Sequence, residues 1–183
     1  MLKVPPPHQL AITAACVALN LAVGKIASLL SLPLPLPLDT VGSLTGAALL
    51  PPALAIAVGA VTAVLGWAVI SPVYPYYIGT QISVVIAALA VMRFIGFDRL
   101  WKTVILGASV AVVAAMVSAP VTVLVFGGVT VPAMTAIDAV PIGSGQNIWS
   151  AAIIGGLPID VADKLVVALV AWALVRRRLR SGA

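Results

Sequence analysis

The chain has 183 residues, of which 62% are hydrophobic and 8% charged, with a formal net charge of +5. Its mean hydropathy is +1.21. Soluble domains carry about a quarter charged residues, so there is too little polar surface here to cover a globule in water. The same composition argues against a membrane barrel, whose strands alternate apolar and polar residues; residues 53–69 and 104–117 are apolar on every face.

Segment one, residues 9–30, is long enough to span a bilayer, and no small-residue cleavage site closes it, so it reads as a retained first helix. It holds the single Cys16, which has no partner for an internal disulfide and reads as a small buried residue. Asn20 and Lys25 are its polar residues; Lys25 is expected to snorkel outward or to meet an aspartate. Pro33, Pro35 and Pro37 then alternate with leucines, which forbids helix and predicts an extended loop or lid. Segment two, residues 39–50, opens on Asp39-Thr40 as an N-cap. Pro51-Pro52 breaks it and starts segment three, residues 53–70. An aromatic turn with Tyr74, Tyr76 and Tyr77 leads into segment four, residues 76–95. The most charged short loop follows, with Asp98, Arg99 and Lys102. Segment five covers 100–126, with a kink expected at Pro120; residues 127–147 are a mixed region of Gly, Pro and polar residues. Segment six covers 148–176, with Gly155, Gly156 and Pro158 expected to break its first turns, and ends in Arg176, Arg177 and Arg178.

Six spans place every basic cluster on one side: Lys3, then Arg93, Arg99 and Lys102, then Arg176, Arg177, Arg178 and Arg180. The gaps after segments one, three and five hold no Lys or Arg, only Asp39 and Asp138. An odd count would split the clusters, so the positive-inside rule predicts an all-α integral membrane protein: one domain over 1–183, a six-transmembrane-helix bundle with both termini cytoplasmic. The positive charge thus reports topology, and nucleic acid is not an expected partner. Small residues recur at four-residue spacing (Gly42 and Gly46; Gly59 and Ala63; Ala11 and Ala15; Ala14, Ala18 and Ala22), which lets helices approach closely. For any one pair, internal packing is favoured over a partner-docking face.

Enzyme signatures are absent. There is no Glu and only one His, His8, at the membrane edge. The chain has no Walker lysine motif, CxxC or paired-His motif; Gly143-Ser144-Gly145 lacks the strand-to-helix context of a nucleotide site and reads as a turn. No catalytic residue, metal or cofactor is expected. The polar residues inside the spans are few and costly there. Asp160, Asp163 and Lys164 lie on segment six, with Lys164 about 18 Å from Arg176 along a helix and so near mid-depth. Asp160 and Lys164 share a face at i,i+4; a neutralised internal bridge and a polar cavity opening outward both fit. A second group gathers at the outer ends: Asp39, Thr40, Tyr74, Tyr76, Tyr77, Gln81, Gln146, Asn147 and Trp149. Any single tyrosine is more readily a belt anchor. Together, stacking surfaces and a few amides suit a small, flat, polar molecule.

Four stretches carry a family resemblance. Leu38-Asp39-Thr40-Val41-Gly42-Ser43 follows a helix containing Ala18-Leu19-Asn20-Leu21; Ala47-Ala48-Leu49-Leu50-Pro51 precedes Ala55-Ile56-Ala57-Val58-Gly59; Ser118-Ala119-Pro120 precedes Phe126-Gly127-Gly128-Val129-Thr130; and Asp163-Lys164 opens a final helix ending in basic residues. In these the chain resembles the substrate-binding (S) component of energy-coupling-factor vitamin transporters, over nearly its whole length. The resemblance implies a multi-pass protein of a prokaryotic cytoplasmic membrane that captures a vitamin or related precursor from outside. It implies gating loops after helices one, three and five, the first containing Pro33, Pro35 and Pro37. It also implies docking of helix one, through some of Ala11, Ala14, Ala15, Ala18 and Ala22, onto a transmembrane coupling subunit bound to two ATPases. The substrate candidates are Asp39, Thr40, Tyr74, Tyr77, Gln81, Gln146, Asn147, Trp149, Asp160, Asp163 and Lys164. Two alternatives stand beside this: a small standalone transporter or channel relaying ions through Asp160, Asp163 and Lys164, and an assembly protein with no small-molecule ligand.

Overall fold

A computed structural model describes residues 5–30, 36–128 and 147–181. Among these the architecture is helical, with no strand. The elements are α1 (Pro7–Leu29), α2 (Val41–Leu49), α3 (Pro52–Val69), a 3₁₀ turn (Tyr74–Tyr77), α4 (Ile78–Phe94), α5 (Leu100–Phe126) and α6 (Ile148–Ser181). Four stretches are long and apolar enough to cross a membrane: Pro7–Leu29, Pro52–Val69, Tyr74–Phe94 and Leu100–Phe126.

The boundaries follow from backbone chemistry. Proline stands at the start of α1 and α3, where its missing N–H costs nothing. Pro51 forces Leu50 into an extended conformation (ψ 156°), which ends α2. Gly127 and Gly128 adopt positive φ (62° and 87°). Their N–H groups return to the carbonyls of Val123 and Thr122, at 3.1 and 2.9 Å, and close α5.

Two expectations change. The second segment is too short to cross a membrane as a helix by itself: α2 has nine residues, about 13.5 Å of rise against about 30 Å of hydrocarbon. It is an internal element, buried at every position from Val41 to Ala47. The last helix is not broken by Gly155, Gly156 and Pro158; α6 runs through all three, as membrane helices do where neighbouring groups and local adjustments re-satisfy the backbone. Asp163-Lys164 therefore sits in the middle of α6 and does not open it. With Asp160, these residues leave α6 long enough to span but more charged than the other four stretches. Helix α5 likewise continues through Pro120.

Glycines set the closest helix approaches. A Cβ at Gly42 would lie 1.9 Å from the Cys16 carbonyl oxygen, so α2 rides directly on the α1 backbone. A Cβ at Gly59 would lie 2.8 Å from the Gln81 carbonyl, and one at Gly107 3.0 Å from that of Lys164. These fix α3 against α4 and α5 against α6. The glycine pairs read from sequence thus serve internal packing. The core between them holds Leu44, Val84, Leu106, Val110 and Val167, all buried. The outside is as apolar as the inside, with Trp67, Phe94, Met116 and Leu124 exposed. In such a molecule burial against lipid gains little, so close packing and internal hydrogen bonds hold the helices together.

Candidate functional site

The interior contains two polar knots. The first is centred on Asn20, which is fully buried on α1. Its Nδ2 donates to Ser43 Oγ at 2.9 Å and to Thr62 Oγ1 at 3.0 Å. Its Oδ1 accepts the N–H groups of Gly42 (2.6 Å) and Ser43 (3.2 Å). One side chain thereby joins α1, α2 and α3 and satisfies two orphan donors of the first turn of α2. The expected N-cap is not formed: Thr40 makes no side-chain cap, and Asn20 supplies those acceptors from across the interface.

The second knot contains most of the candidate residues. Asp39 and Thr40, just before α2, meet Gln81 on α4 and Asp163 and Lys164 on α6. Gln81 Nε2 donates to Asp39 Oδ2 at 2.7 Å, and the Tyr74 side chain approaches the same carboxyl group. The Lys164 ammonium is ion-paired with Asp163 Oδ2 and donates to Thr40 Oγ1 at 3.2 Å. Asp163 Oδ1 accepts the Leu38 backbone N–H at 2.7 Å. Asp39, Thr40, Gln81, Asp163 and Lys164 are all buried. The knot lies inside the bundle, since Lys164 packs opposite Gly107, seven residues into α5.

The Asp160–Lys164 bridge is not formed. Lys164 turns to its neighbour Asp163, which the Leu38 contact holds in place, and Asp160 is left half-buried without an ion-pair or hydrogen-bond partner among the described residues. Lys25 likewise pairs with no described aspartate. Tyr77 faces α5 instead of the knot: its hydroxyl meets Thr122 Oγ1 at 3.1 Å and its ring stacks on Phe126, with centroids 6.0 Å apart. Asn147 and Trp149 stay at the start of α6, about 22 Å of helix from Lys164. There Asn147 Oδ1 accepts the Trp149 N–H at 3.0 Å. Gln146 lies outside the described residues.

Among the described residues no group of three His, Cys, Asp or Glu side chains forms a metal site. A separate recess of about 430 Å³ opens between α2 and α4, lined by Ala47, Leu50, Pro52, Leu89, Ala90, Met92 and Arg93. It includes none of the candidate residues.

On α1, Cys16, Val17, Asn20, Gly24 and Ala27 are buried, whereas Ala11, Ala14, Ala15, Ala18 and Ala22 are all exposed on other faces. Comparison of the chain with protein-family models, with curated proteins and with solved structures gives no match.

Proposed function

We propose that this chain is the substrate-capture subunit of an importer of the energy-coupling-factor type, a receptor for a small polar molecule and not itself an enzyme. The observation that carries this reading is the buried knot of Asp39, Thr40, Tyr74, Gln81, Asp163 and Lys164. Buried charges within a membrane helix are expensive and are retained where they line a binding or transport path. Here they converge from four separate elements. The segment that supplies Asp39 and Thr40 directly follows the proline run, of which Pro33 and Pro35 lie outside the described residues, and Leu38 ties it to Asp163.

In this reading six passes are embedded in the cytoplasmic membrane of a prokaryote, the second made of α2 together with residues 36–40 before it. The basic clusters mark the cytoplasmic side and place both termini there. The exposed alanines of α1 are the surface through which a coupling subunit, bound to two ATPases, is engaged: small side chains let a partner helix approach closely in lipid.

Co-expression with the coupling subunit and ATPases of the same genome, followed by affinity purification in detergent, tests the reading. A stable complex is the expected result. Solute or ion flux into vesicles containing this chain alone, with no complex formed, would instead favour a standalone transporter using the Asp160, Asp163 and Lys164 group.

A further inference from the structure

The charges of the inner knot do not balance. Asp39, Asp160 and Asp163 all act electrostatically on the single Lys164 ammonium. Only Asp163 is ion-paired with it. Asp39 is held by a neutral donor, Gln81 Nε2, with the Tyr74 side chain beside it. Asp160, one helical turn before Lys164, has neither an ion-pair nor a hydrogen-bond partner among the described residues. Two of the three carboxyl groups thus have no cation of their own among the described residues.

A second, independent observation is the orientation of Gln81. Its residue exposure is 6%. A carboxylate accepts and does not donate, so the amide nitrogen must face Asp39. The amide oxygen is then an acceptor turned away from that bond, and it is buried with no hydrogen-bond partner among the described residues. A buried acceptor without a donor is costly, and an N–H or O–H of a ligand would satisfy it.

We infer that the knot binds an organic cation bearing N–H donors, of the protonated-amine or amidinium kind, with its charge between Asp39 and Asp160 and an N–H on Gln81 Oε1. This inference rests on the receptor reading above and sharpens it to a charge class. A neutral ligand with a donor could meet Gln81 Oε1 but would bring no charge to the two carboxyl groups, and an anionic one would add negative charge to them, whereas a cation bearing N–H groups answers both.

Benzamidinium, benzamide and benzoate have nearly the same shape and differ in charge, so they probe this directly on the full-length protein in detergent. Benzamidinium is expected to bind about tenfold or more tightly than either analogue, by tryptophan fluorescence or thermal shift. Asp160→Asn keeps the side-chain shape and disturbs no bond to a described residue; it should not lower the unfolding midpoint and should weaken benzamidinium binding about tenfold. Equal or tighter binding of benzamide or benzoate overturns the inference, as does benzamidinium binding that Asp160→Asn does not alter. Native mass spectrometry of the untreated protein separates this from the receptor reading. A co-purified neutral or anionic molecule sinks the charge class and leaves a receptor. No co-purified molecule, with no response to any of the three probes, sinks both.

Discussion

Asp163, in the middle of α6, accepts the Leu38 backbone N–H at 2.7 Å across 125 residues of sequence. Its other oxygen neutralises Lys164, so a single carboxylate shapes the entry to α2 and balances the buried ammonium. Leu38 has φ 51°, the sole positive value at a non-glycine among the described residues. A branched side chain rarely adopts that conformation, and the Asp163 bond holds it. Asp163→Asn would turn an amide N–H₂ toward the ammonium or toward the Leu38 N–H, and either choice loses a bond. Removing one partner of a buried pair costs about 3–5 kcal/mol. Chemical unfolding in detergent should show a loss of that order, and Lys164→Met a similar one. A loss well under 1 kcal/mol for both would mean that the knot is solvated.

The Asn20 knot makes a separate prediction. Asn20→Leu conserves volume but strands the N–H groups of Gly42 and Ser43, each buried. At about 1–3 kcal/mol per unsatisfied group, the variant should lose roughly 3 kcal/mol or more, measured as a shift of the unfolding midpoint. Its benzamidinium response, where folded protein remains, should persist, because Asn20 touches none of the Asp39 or Asp160 contacts.

Much of this was readable in advance, and the residues show why. Helix ends were legible where proline or glycine dictates the backbone, at Pro51-Pro52 and at Gly127. The cost of polar groups in lipid marked Asp163 and Lys164 and, as a separate outer group, Asp39, Thr40 and Gln81; that the two groups meet, and how they pair, is set by tertiary contacts. Helical spacing put Asp160 beside Lys164, whereas a contact 125 residues away gave Lys164 to Asp163. Asn20 was visible as a polar residue in an apolar helix; its role depends on where α2 crosses α1, which no local pattern encodes. Tyr77, Asn147 and Trp149 were drawn in by chemistry alone, and tertiary placement assigns them to the α5 contact and to the first turn of α6. Aromatic and amide side chains are common at both kinds of position, so composition does not separate them.

Gly42 and Gly79 form an internal control for close packing. A Cβ at Gly42 would meet the Cys16 carbonyl oxygen at 1.9 Å, whereas one at Gly79 would meet nothing within 4 Å. Gly42→Ala must push α1 and α2 apart, and overpacking of this kind costs about 1–3 kcal/mol or more. Gly79→Ala, inside α4, should be neutral or stabilising by up to about 1 kcal/mol through helix propensity. The two unfolding midpoints should move in opposite directions or differ by several degrees.

The exposed loop at Asp98 responds to pH in one direction. Hydrogen bonding from Lys102, at 2.5 Å, holds the Asp98 carboxyl below its usual range, with the charges of Lys102 and Arg99 adding to it. A carboxyl depressed in the folded state stabilises it above the ordinary carboxylate pKa, and that contribution is lost as pH falls through the folded value. The side chain is about half exposed to solvent, so the contribution is small. The difference between the unfolding midpoints of the wild type and Asp98→Asn should be slight at neutral pH and close in acid. A difference that widens on acidification would contradict the assignment.

The alanine surface of α1 separates stability from coupling. Ala14 and Ala18 are exposed, while Cys16, Val17 and Asn20 face the core. Ala18→Trp therefore adds a large side chain where this chain has no atoms to displace, and the unfolding midpoint should change by no more than about 0.5 kcal/mol, as for surface substitutions generally. Ligand response should be retained as well, since the inner knot draws nothing from Ala18. Association with a coupling subunit should fail, because a bulky side chain holds the partner helix away from the close approach that small residues permit. Affinity purification of the co-expressed complex, run beside the benzamidinium titration, measures both. Loss of ligand response with the complex intact would assign this face to internal packing. Retention of both would place the coupling surface elsewhere on the molecule.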